Sequence, residues 1–261
     1  ISAPDVESIY DIPLNFEKDG LSETLLSLLK LKAKTTDLKD WRQMVAKGER
    51  AKDTIRIGLV GKYFRTGDFV LSDVYISVIE SLKHSATALG KKVKIDWLDS
   101  GDYELGVASP TEFKEHFKNL ANYHGLLVPG GFGERGVEGK IKVIEYARQN
   151  KIPYFGLCYG MQLAVIEYAR HVLGLSDAHT TEINPDTKHP VIDIMPEQKK
   201  LMTEKNYGAT MRLGAYPTLL RKGTIACDSY KASQANERHR HRFEVNPEYI
   251  ESLEKAGLVF S

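Results

Sequence analysis

One cysteine in this chain is flanked by glycines in a way that suits a nucleophile. Residues 156–160 read Gly-Leu-Cys-Tyr-Gly, after an apolar run at 152–155 and before a helical pattern from residue 161. This is the spacing of a nucleophile elbow, a tight strand-to-helix turn that exposes one side chain where the neighbouring backbone comes close. The N-terminus of the following helix would lower the pKa of the Cys158 thiol. A buried structural cysteine is the alternative, and the flanking glycines favour the reactive one.

A glycine-rich segment follows a second apolar run. Residues 125–128 are Gly-Leu-Leu-Val, and residues 129–139 read Pro-Gly-Gly-Phe-Gly-Glu-Arg-Gly-Val-Glu-Gly. The segment could bind phosphate, although it lacks the Lys-Ser/Thr of a P-loop and the spacing of a dinucleotide fingerprint. It could instead form an oxyanion hole: if the two apolar strands are neighbours, the N–H groups of Gly131 and Tyr159 would converge on a developing oxyanion. A flexible surface loop is the third possibility.

The densest charge cluster is residues 237–244, Glu-Arg-His-Arg-His-Arg-Phe-Glu. His239 and His241 could ligate a metal ion, or a basic strand could contact phosphate or nucleic acid. One arginine could instead bind a substrate carboxylate with its planar guanidinium. A solvated strand with internal ion pairs is the plainest alternative. His241 and Glu244 are also the local pair that could serve as the base, and its orienting carboxylate, for a cysteine nucleophile.

The elements that must position these residues form an alternating pattern from residue 54 onward. Predicted strands are 55–60, 93–98, 125–128 and 152–155, and predicted helices are 71–89, 113–123, 141–149 and 161–173. Such alternation predicts an α/β fold with a mostly parallel sheet flanked by helices. Ligands bind at the carboxyl ends of such strands, where the glycine-rich segment and Cys158 would both lie. Further predicted elements are an extended segment at 9–13, a helix at 21–31, a charged connector at 30–52, strands at 191–195 and 223–226, and a loop at 202–206.

Composition limits the class of protein. The chain has 261 residues, 42% of them hydrophobic, which is enough for a full core. Lys and Arg number 36 against 35 Asp and Glu, so charge gives no case for nucleic acid or a membrane as partner. The two cysteines, Cys158 and Cys227, are far apart and suit a reducing cytoplasm rather than a disulfide framework. No apolar run approaches the roughly 18 residues of a membrane helix. The chain opens on Ile1 rather than Met, so we expect a piece of a longer protein.

Several motifs occur together in one order. They are Val-Pro-Gly-Gly-Phe-Gly-x-Arg-Gly-x-Glu-Gly from residue 128, Gly-x-Cys-x-Gly-Met-Gln from 156, Thr-Glu at 181–182, Met-Arg-Leu-Gly at 211–214 and Glu-Arg-His-Arg-His-Arg-Phe-Glu-Val-Asn at 237–246. Together they closely resemble the CTP synthase family, specifically its class I glutamine amidotransferase domain with a flavodoxin-like fold. The resemblance covers essentially the whole chain. It implies that residues 1–52 are the end of the amidoligase domain and the interdomain linker, and that residues 53–261 are the glutaminase domain without its C-terminal part.

The resemblance also implies roles for individual residues. Cys158 would attack glutamine and form a thioester, with the N–H groups of Gly131 and Tyr159 as oxyanion donors. Gly131 and Gln162 would help to hold the substrate, Glu182 would bind its α-amino group and Arg242 its α-carboxylate. A lid formed by Arg135, Gly136 and Glu138 would take part in activation by GTP.

Cofactors and partners follow from the same resemblance. The glutaminase domain would need no cofactor, whereas ATP, UTP and Mg²⁺ would bind the amidoligase domain, which receives the ammonia and makes CTP. The full enzyme would be a cytoplasmic homotetramer.

The chain departs from the family pattern in a few places. The family's catalytic His and Glu lie in a His-Pro-Glu motif after the region matching residues 258–261, and no such triplet occurs in this sequence. We therefore expect the base to be absent from these 261 residues. About five extra residues near 64–71 predict an unusual surface loop, and Ala209 replaces a usual glycine.

Two other functions are compatible with the residues. A stand-alone cysteine hydrolase would need a histidine near Cys158, for which His124 is the other candidate. A domain that binds glutamine or GTP and regulates a partner would need no base.

Overall fold

The fold is described from a computed structural model of the chain. The structure describes residues 4–32, 37–62, 65–66, 69–70, 75–107, 109–195, 198 and 211–261. The chain divides into two compact units, one formed by Ile1–Arg56 with Ile76–Lys94 and the other by Ile57–Tyr75 with Ile95–Ser261. The predicted domain boundary at residue 52 stays a prediction.

The smaller unit is mainly helical. Its helices are α1 (Ile12–Lys18), α2 (Leu21–Leu28), α3 (Lys39–Arg50) and α4 (Ile76–Ala88). The Trp41 indole N–H donates to the carbonyl of Tyr10 at 2.8 Å, and the Tyr10 hydroxyl donates to Glu80 at 2.5 Å. These bonds tie the first residues of the unit to α3 and α4.

One prediction for this region is wrong. Residues 9–13 are not extended: they form a 3₁₀ turn (Ile9–Asp11) and the start of α1, where Pro13 occupies the first turn. Proline suits that position because its fixed φ is helical and its missing N–H would have no partner there. Helix α3 lies within the charged segment at 30–52, and the role of that segment as a connector stays a prediction.

The main sheet has four strands, β1 (Thr54–Gly61), β4 (Lys92–Asp99), β5 (Gly125–Val128) and β6 (Tyr154–Gly156), in the order β4-β1-β5-β6. Strand β1 pairs with β5, and β5 with β6, in parallel. Helices α5 (Pro110–Leu120), α6 (Val137–Gln149) and α7 (Tyr159–His171) alternate with the strands. The α/β prediction with a parallel sheet flanked by helices is confirmed.

The core of the larger unit is built from the apolar faces of these elements. Fully or almost fully buried members come from the sheet, from α6 and α7 and from later elements: Val60, Leu126, Val128, Ile141, Ile144, Leu163, Ile166, Ile192 and Leu253. Strands β5 and β6 are therefore packed against a close-packed core. This packing fixes the positions at which the loops after these strands begin.

A second sheet and a hairpin complete this unit. Strands β7 (Ala178–Thr180), β8 (His189–Ile194) and β11 (Phe243–Val245) form a sheet in the order β11-β8-β7, parallel between β7 and β8 and antiparallel between β8 and β11. Strands β9 (Arg212–Leu219) and β10 (Gln234–His241) form an antiparallel pair. The remaining helices are α8 (Ile225–Tyr230) and α9 (Pro247–Lys255).

The predicted strand at 223–226 is wrong, because its second half is the start of helix α8. Gly223 has a φ of +79°, and the Thr224 side chain accepts the N–H of Cys227 as the N-cap of the helix. A Ser/Thr cap of this kind ends extended structure and starts a helix.

Little of the predicted loop at 64–71 can be described. The backbone at Arg65–Thr66 (β2) pairs antiparallel with Phe69–Val70 (β3), and the rest of that loop lies outside the described residues. So do Ala209 and the loop predicted at 202–206. Among the described helices, none is both long enough and apolar enough to cross a membrane.

Candidate active site

The predicted elbow forms at Cys158. Strand β6 ends at Gly156, helix α7 begins at Tyr159, and Cys158 is the N-cap residue between them. Its backbone has φ 49° and ψ −103°, a region that side-chain-bearing residues rarely adopt. Strain of this kind persists only where the surroundings impose it, and it concentrates at functional sites. The Cys158 side chain is solvent-accessible.

The two flanking glycines are required by close backbone contacts. A Cβ at Gly156 would lie 2.5 Å from the carbonyl carbon of Gly160 and from the N of Met161. A Cβ at Gly160 would lie even closer to the strand β5 backbone. The prediction that side chains would clash at both positions is therefore confirmed.

The glycine-rich loop lies beside the elbow. In the β5–β6 ladder Val128 is opposite Gly156, and the N–H of Leu157 donates to the carbonyl of Val128 at 2.9 Å. An ideal Cβ on Gly130 would be 3.6 Å from the Cβ of Cys158, and one on Gly131 would be 3.7 Å from Cδ1 of Tyr159. The expected adjacency of the two strands is confirmed. That the Gly131 and Tyr159 N–H groups act as oxyanion donors stays a prediction.

Two side chains that the sequence analysis did not identify hold this loop. The Tyr159 hydroxyl donates to the carbonyl of Gly133 at 3.0 Å. Lys62, which directly follows β1 and is only 6% exposed, donates from Nζ to the carbonyl of Phe132 at 2.5 Å. No sequence pattern indicates such a lysine, because its partners are backbone atoms 70 residues away.

The protonation state of Cys158 differs from the expectation. Cys158 is accessible as a residue, but the protein atoms around its thiol desolvate it and raise its pKa. The N–H of Tyr159 lowers this pKa and the nearby carboxylate of Glu182 raises it, so that the net shift is upward. The prediction of a lowered pKa from the helix N-terminus is therefore wrong for this structure. A raised pKa lowers the thiolate fraction at a given pH, so that a base would help to form the nucleophile.

Gln162 is placed close to the elbow but is itself buried. It is 5% exposed, its N–H donates to the carbonyl of Cys158 at 3.1 Å, and its side-chain Nε2 donates to the carbonyl of Phe243 at 2.8 Å. The side chain thus connects α7 to strand β11. This gives Gln162 a structural contact beside its predicted role in substrate binding.

The second sheet brings Glu182 and Arg242 to one edge. Glu182 comes just after β7, and its N–H donates to the Thr180 hydroxyl at 3.2 Å. Strand β8 runs parallel to β7, and β11 runs antiparallel to β8 with Phe243 opposite Ile194. The end of β7 and the start of β11 therefore lie at the same edge, so that Glu182 and Arg242 flank it.

The predicted lid residues begin helix α6. Gly136 is its N-cap with a φ of 75°, and a Cβ there would lie 2.1 Å from the Ser100 hydroxyl oxygen. Arg170 donates from Nη1 to both carboxylate oxygens of Glu138, at 3.0 and 2.9 Å. Arg135 is exposed on the preceding turn. Gly136 and Glu138 are thus fixed by packing and by an ion pair, and Arg135 projects into solvent.

The basic cluster forms a connected network. His239 Nδ1 is 2.8 Å from His241 Nε2, His241 Nδ1 is 3.5 Å from Glu244, and Arg212 is 3.1 Å from the same carboxylate. Burial lowers the pKa of His241. Within the described parts of the chain, no group of three or more His, Cys, Asp or Glu side chains could hold a metal ion. His241 and Glu244 do lie together, as the alternative hypothesis of a local base requires.

His124 lies at the wrong end of the sheet to serve as the base. It precedes the first residue of β5, whereas Cys158 follows the last residue of the parallel strand β6. A strand of four residues separates the two ends by about 13 Å. The hypothesis that His124 activates Cys158 is wrong.

This elbow, its neighbouring glycine loop and the parallel sheet agree with the family comparison. The chain belongs to the class I glutamine amidotransferase family, whose model, described as "Glutamine amidotransferase class-I", matches residues 70–261.

The chain is similar to CTP synthases. Those of Pyrococcus furiosus and Pyrococcus abyssi are each 50% identical to it, over alignments that cover 100% of this chain and 45% of theirs. The chain thus spans less than half the length of the curated relatives it matches. Among solved structures, the glutaminase domain of Trypanosoma brucei CTPS with bound acivicin is 42% identical, with a TM-score of 0.69 over 79% of this chain and 74% of that one. The class I glutamine amidotransferase fold is confirmed.

Proposed function

We propose that this chain is the glutaminase portion of a CTP synthase and that Cys158 hydrolyses glutamine. The observation that carries the proposal is the elbow geometry: an accessible cysteine at the N-cap of α7 has a glycine-rich loop packed against it. The similarity to CTP synthases along the whole chain supports the choice of substrate.

The reaction has two steps. The Cys158 thiolate attacks the side-chain amide carbon of glutamine, a C–S bond forms, and the carbonyl electron pair moves onto oxygen, where the N–H groups of Gly131 and Tyr159 stabilise it. The C–N bond then breaks, and ammonia leaves with the proton that the base has taken from the thiol. Water attacks the thioester, glutamate is released and the thiol is restored.

Three side chains would bind the substrate. Arg242 would pair with the α-carboxylate and Glu182 with the α-amino group, which agrees with their placement at one edge of the second sheet. Opposite charges on these two groups match the zwitterion of a free amino acid. Gln162 would help to hold the substrate, and its bond to the Phe243 carbonyl also fixes the segment that carries Arg242.

We assign the base to the histidine of a His-Pro-Glu motif, which the family resemblance puts after residue 261. His241 with Glu244 is the alternative within the chain. A His241→Asn variant of the full-length protein separates the two assignments: retained glutamine hydrolysis supports the external histidine, and a loss of about 100-fold or more supports His241.

The remaining functions belong to the longer protein. Ammonia would pass to an amidoligase domain, with residues 1–52 as its end and the linker, where UTP is converted to CTP with ATP and Mg²⁺. Those groups would bind residues outside this chain. GTP would act as activator through Arg135, Gly136 and Glu138. We expect a cytoplasmic homotetramer that does not bind nucleic acid or membranes.

The decisive experiment replaces the nucleophile in the full-length protein. Cys158→Ala should abolish glutamine-dependent CTP formation and leave ammonia-dependent formation intact. Cys227→Ala is the matched control, since this cysteine lies in α8 and its thiol contacts only the local carbonyl of Ala232 among the bonds described. Glutamine-dependent activity in the Cys158→Ala protein would refute the assignment.

A further inference from the structure

The glycine-rich loop is held by a buried charge. Lys62 is 6% exposed, and its Nζ donates to the carbonyl of Phe132 at 2.5 Å and to that of Gly133 at 3.5 Å. Burying an ammonium group costs free energy unless its N–H groups find hydrogen-bond acceptors. Charge-assisted hydrogen bonds to carbonyl oxygens are among the stronger ones in proteins. Lys62 therefore fixes the loop at two successive peptide groups.

Tyr159, on helix α7, also binds the glycine-rich loop. Its hydroxyl donates to the carbonyl of Gly133 at 3.0 Å, and its N–H belongs to the first residue of α7. One residue thus supplies a candidate oxyanion donor and also a bond that ties down the loop carrying the other donor. Its ring is packed under the Nζ of buried Lys140, at 5.6 Å from the ring centroid.

The loop needs such restraints. Residues 130, 131 and 133 are glycines, which lose more conformational freedom on ordering than other residues. A backbone N–H can stabilise an oxyanion only if it already points at the position where the charge develops. Because a peptide group is planar, holding the carbonyl oxygens of Phe132 and Gly133 fixes the peptide planes that carry the N–H groups of Gly133 and Glu134. The Gly131 N–H shares its peptide group with the Gly130 carbonyl, so the clamp restrains it by fixing the loop from residue 132 onward.

We propose that Lys62 and the Tyr159 hydroxyl are positioning residues for the oxyanion hole: they clamp the carbonyls of Phe132 and Gly133, so that the Gly131 N–H faces the reacting carbonyl. This inference rests on the proposed glutaminase function. Neither side chain is assigned contact with the substrate.

Buried Lys140 also bears on the role of Lys62 in binding the loop carbonyls. Burial and the positive charge of Lys62 lower the pKa of Lys140 to about 8, against the opposing effects of Glu104 and Asp99. The fold thus keeps the amino groups of Lys62 and Lys140 near enough to interact, although their positive charges repel each other. An apolar side chain at position 62 would relieve this repulsion, but it could not bind the loop carbonyls.

The test uses the full-length protein with Lys62→Met, which keeps the length of the side chain and removes the donor. We expect kcat for glutamine hydrolysis to fall by about 10- to 100-fold, somewhat less than the loss of an oxyanion donor itself. KM for glutamine should stay within about twofold, because an oxyanion hole acts in the transition state. Alkylation of Cys158 by iodoacetamide passes through no oxyanion, so its rate should match that of the parent. Lys118→Met, an exposed lysine of α5, is the control and should change neither rate.

Tyr159→Phe provides an independent second variant, since it keeps the ring and its packing and removes only the hydroxyl. We expect a kcat about 3- to 10-fold below the parent, again with unchanged alkylation. Because both side chains act on the Gly133 carbonyl, the double variant should lose less than the product of the two single losses.

Each outcome decides the question. Parental kcat in Lys62→Met, or in Tyr159→Phe if Lys62→Met does not fold, would overturn the proposal. An equal loss of alkylation and hydrolysis would also overturn it, because that result indicates general damage to the elbow. A parent protein that does not hydrolyse glutamine would refute the proposed function instead, and the two failures are thereby distinguished.

Discussion

The carbonyl oxygen of Val128 lies 2.1 Å from the position that a Cβ on Gly160 would occupy. Atoms of real side chains do not approach this closely, so the first turn of α7 rests directly on the end of β5. The Tyr154 hydroxyl strengthens the contact by donating to the carbonyl of Gly160 at 2.7 Å. The orientation of Cys158 is therefore set by backbone packing.

Gly160→Ala should disrupt the elbow. The added methyl group would push α7 away from β5, and we expect glutamine hydrolysis to fall by at least about 100-fold, since misplacing a reacting group by about 1 Å can cost this much. Gly48→Ala in α3 is the control, because its Cβ would be 3.6 Å from the nearest Thr87 atom, an ordinary contact. Parental glutaminase activity in Gly160→Ala would contradict the clash.

Glu182→Gln should make Cys158 more acidic. The carboxylate of Glu182 raises the thiol pKa, so removing its negative charge lowers that pKa and increases the thiolate fraction at a fixed pH. Alkylation of Cys158 by iodoacetamide at pH 8 should be faster, and its pH profile should shift to lower pH. KM for glutamine should rise about 10-fold or more with the loss of a charged hydrogen bond. The exposed Glu115→Gln in α5 is the control. An unshifted alkylation profile in Glu182→Gln would refute the electrostatic effect of Glu182 on the thiol.

Arg242→Ala should impair glutamine binding selectively. Loss of a bidentate partner for the α-carboxylate should raise KM by about 10- to 100-fold, while ammonia-dependent activity of the full-length protein stays unchanged. Arg240→Ala is a close control, because Arg240 lies on β10 two residues earlier and is exposed. A parental KM in Arg242→Ala would remove this arginine from the site.

Arg148→Met should destabilise the larger unit. Glu167 is 1% exposed, and Arg148 donates to it from Nε at 3.1 and 3.0 Å and from Nη2 at 2.8 Å. Removing the arginine leaves a buried carboxylate without its main partner, which costs about 3–5 kcal/mol in the free energy of unfolding.

The double variant Arg148→Met/Glu167→Leu should regain part of that loss, because no uncompensated charge remains. Arg221→Met breaks the exposed ion pair with Glu254 and should cost no more than about 1 kcal/mol. Denaturant unfolding measures all three. Equal losses in Arg148→Met and Arg221→Met would contradict the role of burial.

The helices and strands whose apolar residues recur with a regular spacing were predictable from the sequence. Strand β5 was predicted with its observed ends, and the helix-strand alternation gave the sheet. Helix α8 was missed because its six residues are too short for a periodic signal, although Thr224 is a recognisable N-cap. Strand β9 was missed because its burial alternates only in part and its partner β10 follows only after a connection that contains helix α8.

In the candidate site, too, features set by local sequence were predictable, and features that depend on tertiary contacts were not. Cys158 and the glycines around it were identified because tight turns restrict residue types locally. The clamp by Lys62 was not, since a lysine after a strand is ordinarily solvated and its loop partners are distant in sequence. The direction of the Cys158 pKa shift was also wrong, because burial and the carboxylate of Glu182 depend on the tertiary structure.

Val128 on β5 is paired with Gly156 on β6, and the functional residues in the loops after these two strands lie at equal numbers of residues from this pair. Gly130 and Cys158 each come two residues after their paired strand residue, and Gly131 and Tyr159 each come three residues after it. The nucleophile and both candidate donors are thus set by counting residues from one rung of the ladder. One inserted or deleted residue on either side would shift one donor by about 3.3 Å relative to the other. Insertions and deletions in residues 129–131 and 157–159 are therefore expected to be harder to accommodate than substitutions of side chains there.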